Sequence, residues 1–599
     1  MMLKHREPIS AFAVQAMKRK SLELLPKSKK LKKKHNLSRK KVIVEKKITG
    51  ETLQKLIKIP VNKNEHEIDT VSINEGKVIN ENNMTKIIGP SSTRKKNKSN
   101  NNPIYKTKAL KRDIAKIKHI NKKHPKQLKN RKTTERINQF PTHNEVKTIE
   151  EHQDNPTNVS RSMYEWLIHP MKVEDFFAKN WEQTPVHIKR NCSNYYKLLM
   201  STPLLDKILR ESHILFNKNL DITSYENGVR ETHNPIGRAI PSVVWDYYMN
   251  GCSVRMLNPQ TYIPKLHSLN ATLQEFFGCF VGANSYLTPP NSQGFAPHYD
   301  DIEAFILQVE GKKRWRLYKP RNENEYLARY SSQNFTQSEI GEPILDTVVN
   351  AGDLLYFPRG TIHQGETMDS HSLHITLSVY QKNSWGDFLE KLLPDALNTA
   401  METDSEFRKG LPLDYLRYSG FVHSENQSNN KGELKEKVKH LLKKLIDYID
   451  IDKAADLMAK KNVHDFLPPV LLENEQECSI VQDGEQMTAN GIVINRVEIE
   501  PDTRIRLLRS HCIRLIEEND TFRIYYSSEN SKEYHEYEPQ YLEVSEHFVP
   551  AVKELILRYP AFISVEELPI VGEDNKIQIV KDLWEKCLVV TDNPLPILD

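Results

Sequence analysis

Between residues 160 and 385 the apolar residues fall in short runs of four to seven, interrupted by Gly and Pro. Ala304–Val309 (AFILQV), Arg314–Tyr318 (RWRLY), Leu354–Phe357 (LLYF) and Leu373–Val379 (LHITLSV) predict strands. Gly311, in Glu310-Gly311-Lys312, predicts a tight hairpin between the first two. Pro358-Arg359-Gly360 predicts a turn that ends the third. Many short strands with turn signals predict a β-sandwich or barrel, with helices ahead of it from about Ser162–Trp166. After Trp385 the period lengthens. Phe388–Leu393, Asp395–Met401 and Glu433–Ile449 show helical spacing, with Val438, Leu441, Leu442, Leu445 and Ile446 on one face. That face either packs on the parent domain or joins copies of the chain into a homo-oligomer, a dimer or larger. Beyond Pro468-Pro469, Arg504–Leu508 and Phe522–Tyr526 alternate like strands. Pro550–Tyr559 and Asn575–Lys586 read as helices, and Leu588–Thr591 as a last strand. The order fits a winged-helix-like α+β unit.

Composition adds a segment that these patterns do not describe. Hydrophobic residues are 38% of the 599 and mean hydropathy is −0.62, below the roughly 45% of a compact globular chain. Residues 1–160 hold 39 Lys and Arg against 15 Asp and Glu, a net of +24, and no Trp. Such a segment buries too little apolar surface to offset its ordering entropy and is predicted to be a disordered basic arm. Lys27–Lys34 (KSKKLKKK) and Arg94–Lys98 (RKKNK) read as nuclear import signals or polyanion-binding patches. Retention by RNA through the same charges would place the chain in the nucleolus. The remainder carries a net of −17, and residues 471–599 alone hold 12 basic against 26 acidic residues. A DNA reader needs a basic face, so DNA binding by the terminal unit is disfavoured. No run of about 20 apolar residues predicts a transmembrane helix, and no secretory signal of the usual form is expected. The six cysteines are scattered without a C-x-x-C pair, so no disulfide scaffold or cysteine zinc site is expected.

Candidate chemistry concentrates at Pro297-His298-Tyr299-Asp300-Asp301. On a strand, His298 and Asp300 would project from one face and offer an imidazole and a carboxylate to one point. A third ligand must come from another strand, and His363, just past Leu354–Phe357, is the candidate. Two histidines and a carboxylate form the facial triad of non-haem Fe(II) oxygenases, with positions left for a bidentate co-substrate and O2. Lys313 alternates in phase with Trp315 and Leu317 and could face the interior. A buried lysine needs an anion, and the distal carboxylate of 2-oxoglutarate would be one. Thr376 and Ser378 alternate on a later strand and could donate hydrogen bonds inward. His371 and His374 lie near His363 but are not needed as ligands once the triad is complete. Asp301 and Glu303 are expected to be rim or structural carboxylates.

These residues also carry a resemblance. Gly282–Tyr318, Pro358–Gln364 (PRGTIHQ) and His371–Gln381 (HSLHITLSVYQ) resemble the JmjC-type 2-oxoglutarate oxygenases, and among them the ribosomal oxygenases, over roughly residues 160–599. The resemblance implies a mostly β, double-stranded β-helix (cupin-like) catalytic core over 161–395. A helical oligomerisation segment over 396–470 and a winged-helix-like domain over 471–599 would follow it. It implies Fe(II) ligands His298, Asp300 and His363, and Lys313 on the distal carboxylate of 2-oxoglutarate. Asn284 would sit in the cofactor pocket, with Arg255, Tyr286 and Ser378 on the substrate side. The implied activity is hydroxylation of a histidine in a ribosomal protein, with demethylation of histone H3 methyl-lysines as a second activity linking the chain to chromatin and transcription. Two other readings compete. One is a catalytically silent JmjC scaffold, disfavoured because all three ligands and Lys313 are present. The other is a nucleic-acid binder acting through the basic arm, which could instead tether an enzyme to RNA.

Overall fold

The long strands of the catalytic unit explain its shape. In the computed structural model, which describes residues 155–425, 428–533 and 538–598, nine strands form one antiparallel sheet. They are β1 (Val186–Ile188), β2 (Leu220–Glu226), β3 (Val229–Thr232), β4 (Ser253–Leu257), β5 (Gly282–Thr288), β6 (Glu303–Tyr318), β7 (Leu345–Asn350), β8 (Leu354–Phe357) and β9 (Ile362–Val379). The order is β1-β8-β6-β9-β5-β4-β2-β3, with β7 also on β6. The two longest strands do the folding over. The first half of β6 pairs with β8 and its second half with β7, while β9 pairs with β6 along its length and with β5 over Ser372–Ser378. One face of this cupin-like sheet packs on helix α1 (Pro156–Ile168) and helix α2 (Pro264–Phe277) through Tyr164, Phe276 and Phe305. The other face closes around a cavity of mixed polar and apolar lining.

Two local expectations fail, each for a visible reason. Gly311 is not a hairpin. β6 runs through it, and the register with β9 shifts between Gln308 and Glu310 and again between Gly311 and Lys313. Gly311 has φ +65°, and a Cβ there would lie 1.8 Å from the His371 carbonyl oxygen of β9. The glycine therefore makes a bulge that bends a continuous strand over the cavity. Gly311→Ala is expected to lower stability by about 2–4 kcal/mol, since neighbouring backbone must move. A thermal melt of the full chain measures this as a drop of several degrees with Lys313 still in place. The second failure is the arm's boundary. Residues 156–160 begin α1, because Asn155 accepts a hydrogen bond from the Thr157 amide at 3.0 Å and Pro156 opens the first turn. The rest of the arm, with both lysine clusters, lies outside the described residues.

Helix α3 (Trp385–Thr403) crosses residue 395, so no domain break falls there. It runs through Pro394, which joins into one helix the two stretches read separately from the sequence. Helix α4 (Asn429–Leu445) buries Leu445 onto Ala396 and Ala400 of α3, leaves Leu441 half-buried and Val438 and Leu442 exposed, with Ile446 exposed just past its end. All described residues belong to one compact unit. The terminal unit, with helices Val549–Arg558 and Glu573–Glu585, has its own core around Ile505, Val552 and Leu583. It is tied to α2 by a buried ion pair of Glu275 with His511, to which Tyr559 adds a hydrogen bond at 2.6 Å. Against burial, Cys512 and then Glu275 push His511 up to about 9, and His511 in turn helps hold Glu275 down to about 2 against its own burial. All six cysteines are free, and among the described residues no helix is long and apolar enough to cross a membrane.

Candidate metal centre

His298 and Asp300 are not on a strand. They lie in the extended segment entering β6, and only His298 makes a bridge, to His363, the second residue of β9. The amide of each histidine bonds the carbonyl of the other, at 3.2 and 2.8 Å, which fixes their separation. The Gly360 amide holds the Asp300 carbonyl at 2.9 Å, tying the Pro-Arg-Gly turn to the same segment. Gly360 supplies the turn's positive φ of +84°.

The imidazoles are oriented from behind. His298 Nδ1 meets the Ala296 carbonyl at 2.8 Å and His363 Nδ1 the Thr361 carbonyl at 3.0 Å. A carbonyl only accepts, so each Nδ1 carries the proton and each Nε2 presents a lone pair. Those Nε2 atoms lie 3.9 and 3.8 Å from Asp300 Oδ2. Burial, with His363 as the next cause, lowers His298 to about 3, and burial lowers His363 as well, so both rings are neutral at physiological pH. One ligand atom from each of the three residues lies within 4.8 Å of the others. Among the described residues this is the one His/Cys/Asp/Glu group so arranged, and its donor set suits Fe(II).

Behind the turn, Arg359 Nη1 reaches Glu303 at 2.9 Å and Glu182 at 2.6 Å, and Tyr356 donates to Glu303. Burial pushes Glu303 up to about 7. Glu303 is thus a fully enclosed brace for the turn rather than a rim group. Asp301 is likewise structural, accepting from Ser331 and Gln381.

The cavity is lined by His298, Asp300 and His363 with Lys313, Tyr286 and Thr376, and by Phe295, Trp315, Phe357, Gln364, Gly365 and His374, among others. Lys313 is buried; its one described hydrogen bond goes to Thr288 Oγ1 at 3.3 Å. Burial alone brings its ammonium down to about 7. Gly365 makes room for it: a Cβ there would lie 3.0 Å from Lys313 Cε and 3.3 Å from the Trp315 ring. Among the described residues the buried Trp315 Nε1, His374 Nδ1, Asn284 Oδ1 and Ser378 Oγ have no hydrogen-bond partner. A buried cation in a cavity that also holds the unsatisfied Trp315 Nε1 and His374 Nδ1 fits a bound dicarboxylate such as 2-oxoglutarate.

Of the other candidates, Tyr286 lines the cavity, stacked on His374 at 4.8 Å between ring centres. Arg255 lies behind it, fully buried and paired with Asp221. Asn284 and Ser378 are buried on β5 and β9 but do not line the cavity. His371 is drawn away to Glu310 at 3.1 Å. Sequence reasoning missed Thr288 and Gln364. Thr288 is 25 residues from Lys313 and its partnership is set only by strand pairing. Gln364 directly follows His363, which was the available signal.

The chain is similar to several known proteins. A JmjC domain model matches residues 255–387, and the model "Ribosomal oxygenase 1, C-terminal winged helix domain" matches 467–595. A mosquito protein (Aedes aegypti) named bifunctional lysine-specific demethylase and histidyl-hydroxylase NO66 is 49% identical over 433 residues, 72% of this chain and 68% of that one. A zebrafish protein (Danio rerio) named ribosomal oxygenase 1 is 47% identical over 443 residues, 74% of this chain and 81% of that one. The solved structure of YcfD, a ribosomal oxygenase from Escherichia coli in complex with cobalt and 2-oxoglutarate, aligns at 15% identity. Its TM-score is 0.38, over 71% of this chain and 99% of that one.

Proposed function

The chain belongs to the JmjC ribosomal oxygenases, and from that premise we propose that it hydroxylates a histidine side chain of a ribosomal protein. It is an Fe(II)- and 2-oxoglutarate-dependent oxygenase. When bound, iron with 2-oxoglutarate and O2 supplies the oxidising chemistry that places oxygen on a C–H bond, leaving succinate and CO2. The chain's residues do the rest. His298, Asp300 and His363 would hold the metal, through their Nε2 atoms and a carboxylate oxygen. Lys313, with Thr288, holds the distal carboxylate of the co-substrate. Phe295, Phe357 and Trp315 keep water from the reacting atoms.

The observation that carries the choice of target is the charge of the cavity lining. Among the described residues Asp300 is its only carboxylate, and a bound metal would take it. With 2-oxoglutarate bound, its two carboxylates are also committed, one to the metal and one to Lys313, so a methyl-lysine cation would find no free carboxylate in the lining, which is costly. A neutral imidazole would not meet that cost, and the Tyr286 hydroxyl offers it a partner. Mass spectrometry of ribosomal-protein peptides and methylated histone H3 peptides, incubated with the full chain, Fe(II), ascorbate and 2-oxoglutarate, tests this. Gain of one oxygen on a histidine peptide is expected. Loss of a methyl group from lysine as the dominant product would reverse the assignment, and no turnover with no metal bound would favour a silent scaffold.

Two further readings complete the proposal. Trp385, Leu389, Leu393, Leu397 and Met401 repeat every four residues along α3 and stay exposed, Trp385 by 83%. An apolar stripe of this kind on a soluble surface marks an interface, and a second copy of the chain is the proposed occupant. Leu393→Asp with Leu397→Asp is expected to shift the full chain from dimer or larger to monomer in light scattering. A monomeric wild type would end the idea. The basic clusters at residues 27–34 and 94–98 are proposed to direct nuclear entry and RNA-dependent nucleolar retention. Deleting residues 1–150 from a fluorescent fusion should disperse it.

A further inference from the structure

A groove of about 560 Å3 opens beside the metal cavity, between the β2–β3 hairpin, the loop at Gln293 and the turn at Thr336–Ser338. Gln364 lines both spaces. The groove therefore shares a wall with the metal cavity, on the side of the β2–β3 hairpin. Tyr225 of the hairpin is fastened to the loop by its amide, which bonds the Gln293 carbonyl at 2.8 Å.

Three glutamines from three elements meet in this wall. Gln364 Oε1 accepts from Gln337 Nε2 at 2.9 Å and from Gln293 Nε2 at 3.4 Å. Gln364 Nε2 donates to Tyr318 Oη at 2.6 Å and to Gln337 Oε1 at 3.3 Å. An amide side chain has two N–H donors and an oxygen with two lone pairs, so Gln364 is saturated. Gln293 Nε2 spends its second N–H on the Phe295 carbonyl at 2.7 Å. Among the described residues, what remains uncommitted is the Gln293 side-chain oxygen, one N–H of Gln337 and one lone pair of Gln337. Gln337 is exposed and Gln293 half-buried, so these atoms are within reach of a ligand. Arg316, the one charged group lining the groove, is engaged by Glu366 at 3.2 Å.

Accessible amide oxygens and an amide N–H without a free charge match the alternating N–H and C=O of an extended main chain. They do not match a lysine-rich tail, which would call for carboxylates. We propose that this groove binds an uncharged, extended stretch of the substrate polypeptide flanking the target residue, and that Gln293 and Gln337 read its main-chain amides. Gln364 would hold both readers in register with the His363 it follows in sequence. The inference rests on the oxygenase reading above and adds the direction of approach and the chemistry of the flanking sequence.

The test is peptide binding by fluorescence anisotropy to the full chain loaded with Mn(II) and 2-oxoglutarate without O2. One probe is a labelled 15-residue peptide with a central histidine among Ser, Gly and Asn. The second has a central trimethyl-lysine among Lys and Arg. The neutral probe is expected to bind more tightly. Gln337→Ala and Gln293→Ala should each weaken it roughly tenfold, the scale of one well-placed hydrogen bond. Methylating alternate main-chain nitrogens of the probe should weaken it similarly, and the losses from peptide and protein should not add, because they remove the same bonds. The proposal is overturned if both variants bind the parent probe as the wild type does, if the losses add fully, or if the basic probe binds better. Failure of the wild type to bind the neutral probe overturns it too. Metal-dependent 2-oxoglutarate binding, measured on the same samples, shows whether the oxygenase reading stands apart from that result. Melting curves confirm that the variants fold; Gln337 is at the surface, so its removal leaves no cavity.

Discussion

Asp300→Ala and His298→Ala are each expected to strip the protein of metal and to lower turnover by more than about a hundredfold. The scale follows from what supports the site. Losing an outer partner of a metal ligand costs about 10–100-fold in affinity, and losing a direct ligand lies beyond that. The two variants differ in what they leave behind. Without Asp300, two neutral imidazoles face each other across a ring separation of 4.4 Å, which suits many metals weakly. Without His298, the bridge to His363 survives through main-chain atoms, so the fold is retained. Metal content after gel filtration is the direct reading. A second reading is thermal: Mn(II) should raise the wild-type melting temperature by mass action and leave both variants unmoved. A variant that keeps metal and the thermal response would remove that residue from the ligand set.

Much of this site was legible because its signals are local. Ala304–Val309 and Leu354–Phe357 are apolar runs with turn residues at their ends, and both are strands. The His298-x-Asp300 pair shows its spacing in three residues, and the structure sets both side chains on one point, although the segment is an entry loop rather than a strand. Lys313 was legible from its phase with Trp315, and both line the cavity. The failures are non-local. Gly311 looks like a hairpin glycine from its neighbours alone; only the passage of His371 above it shows that the strand continues. Likewise, Thr288 and the meeting of Gln293, Gln337 and Gln364 depend on which strands and loops the sheet brings together. The exposed face of α3 was hidden for another reason. Apolar periodicity shows that a face will be covered but not by what, and the sequence pattern is the same for a core helix and an interface helix.

Lys313→Met is expected to weaken 2-oxoglutarate binding by roughly a hundredfold or more, because breaking a buried ion pair by removing one partner costs about 3–5 kcal/mol. The pH dependence identifies the cause. In the free protein burial holds the Lys313 ammonium near 7, against an ordinary 10.5. A bound carboxylate favours the charged form and raises that value. Binding is therefore fully supported below about pH 7, where the free lysine is already protonated. Affinity falls as pH rises from there, approaching tenfold per unit until the bound lysine also loses its proton. The methionine variant should bind weakly and without this slope between pH 6.5 and 9. Stability moves the other way. The unfolded lysine binds more protons than the folded one between about pH 7 and 10.5, so the unliganded protein gains stability from this group as pH rises through that window. Below it the buried charge is a full liability. Unliganded Lys313→Met should then melt higher than the wild type at neutral pH while binding the co-substrate far less well. Calorimetry of 2-oxoglutarate binding under Mn(II), with melts at the same pH values, measures both. Equal affinity for wild type and variant would place the distal carboxylate elsewhere. A destabilised variant would mean that the lysine already has an anion in the free protein. The opposed signs follow from a cation built into the interior ahead of its partner, with Gly365 leaving the room it needs.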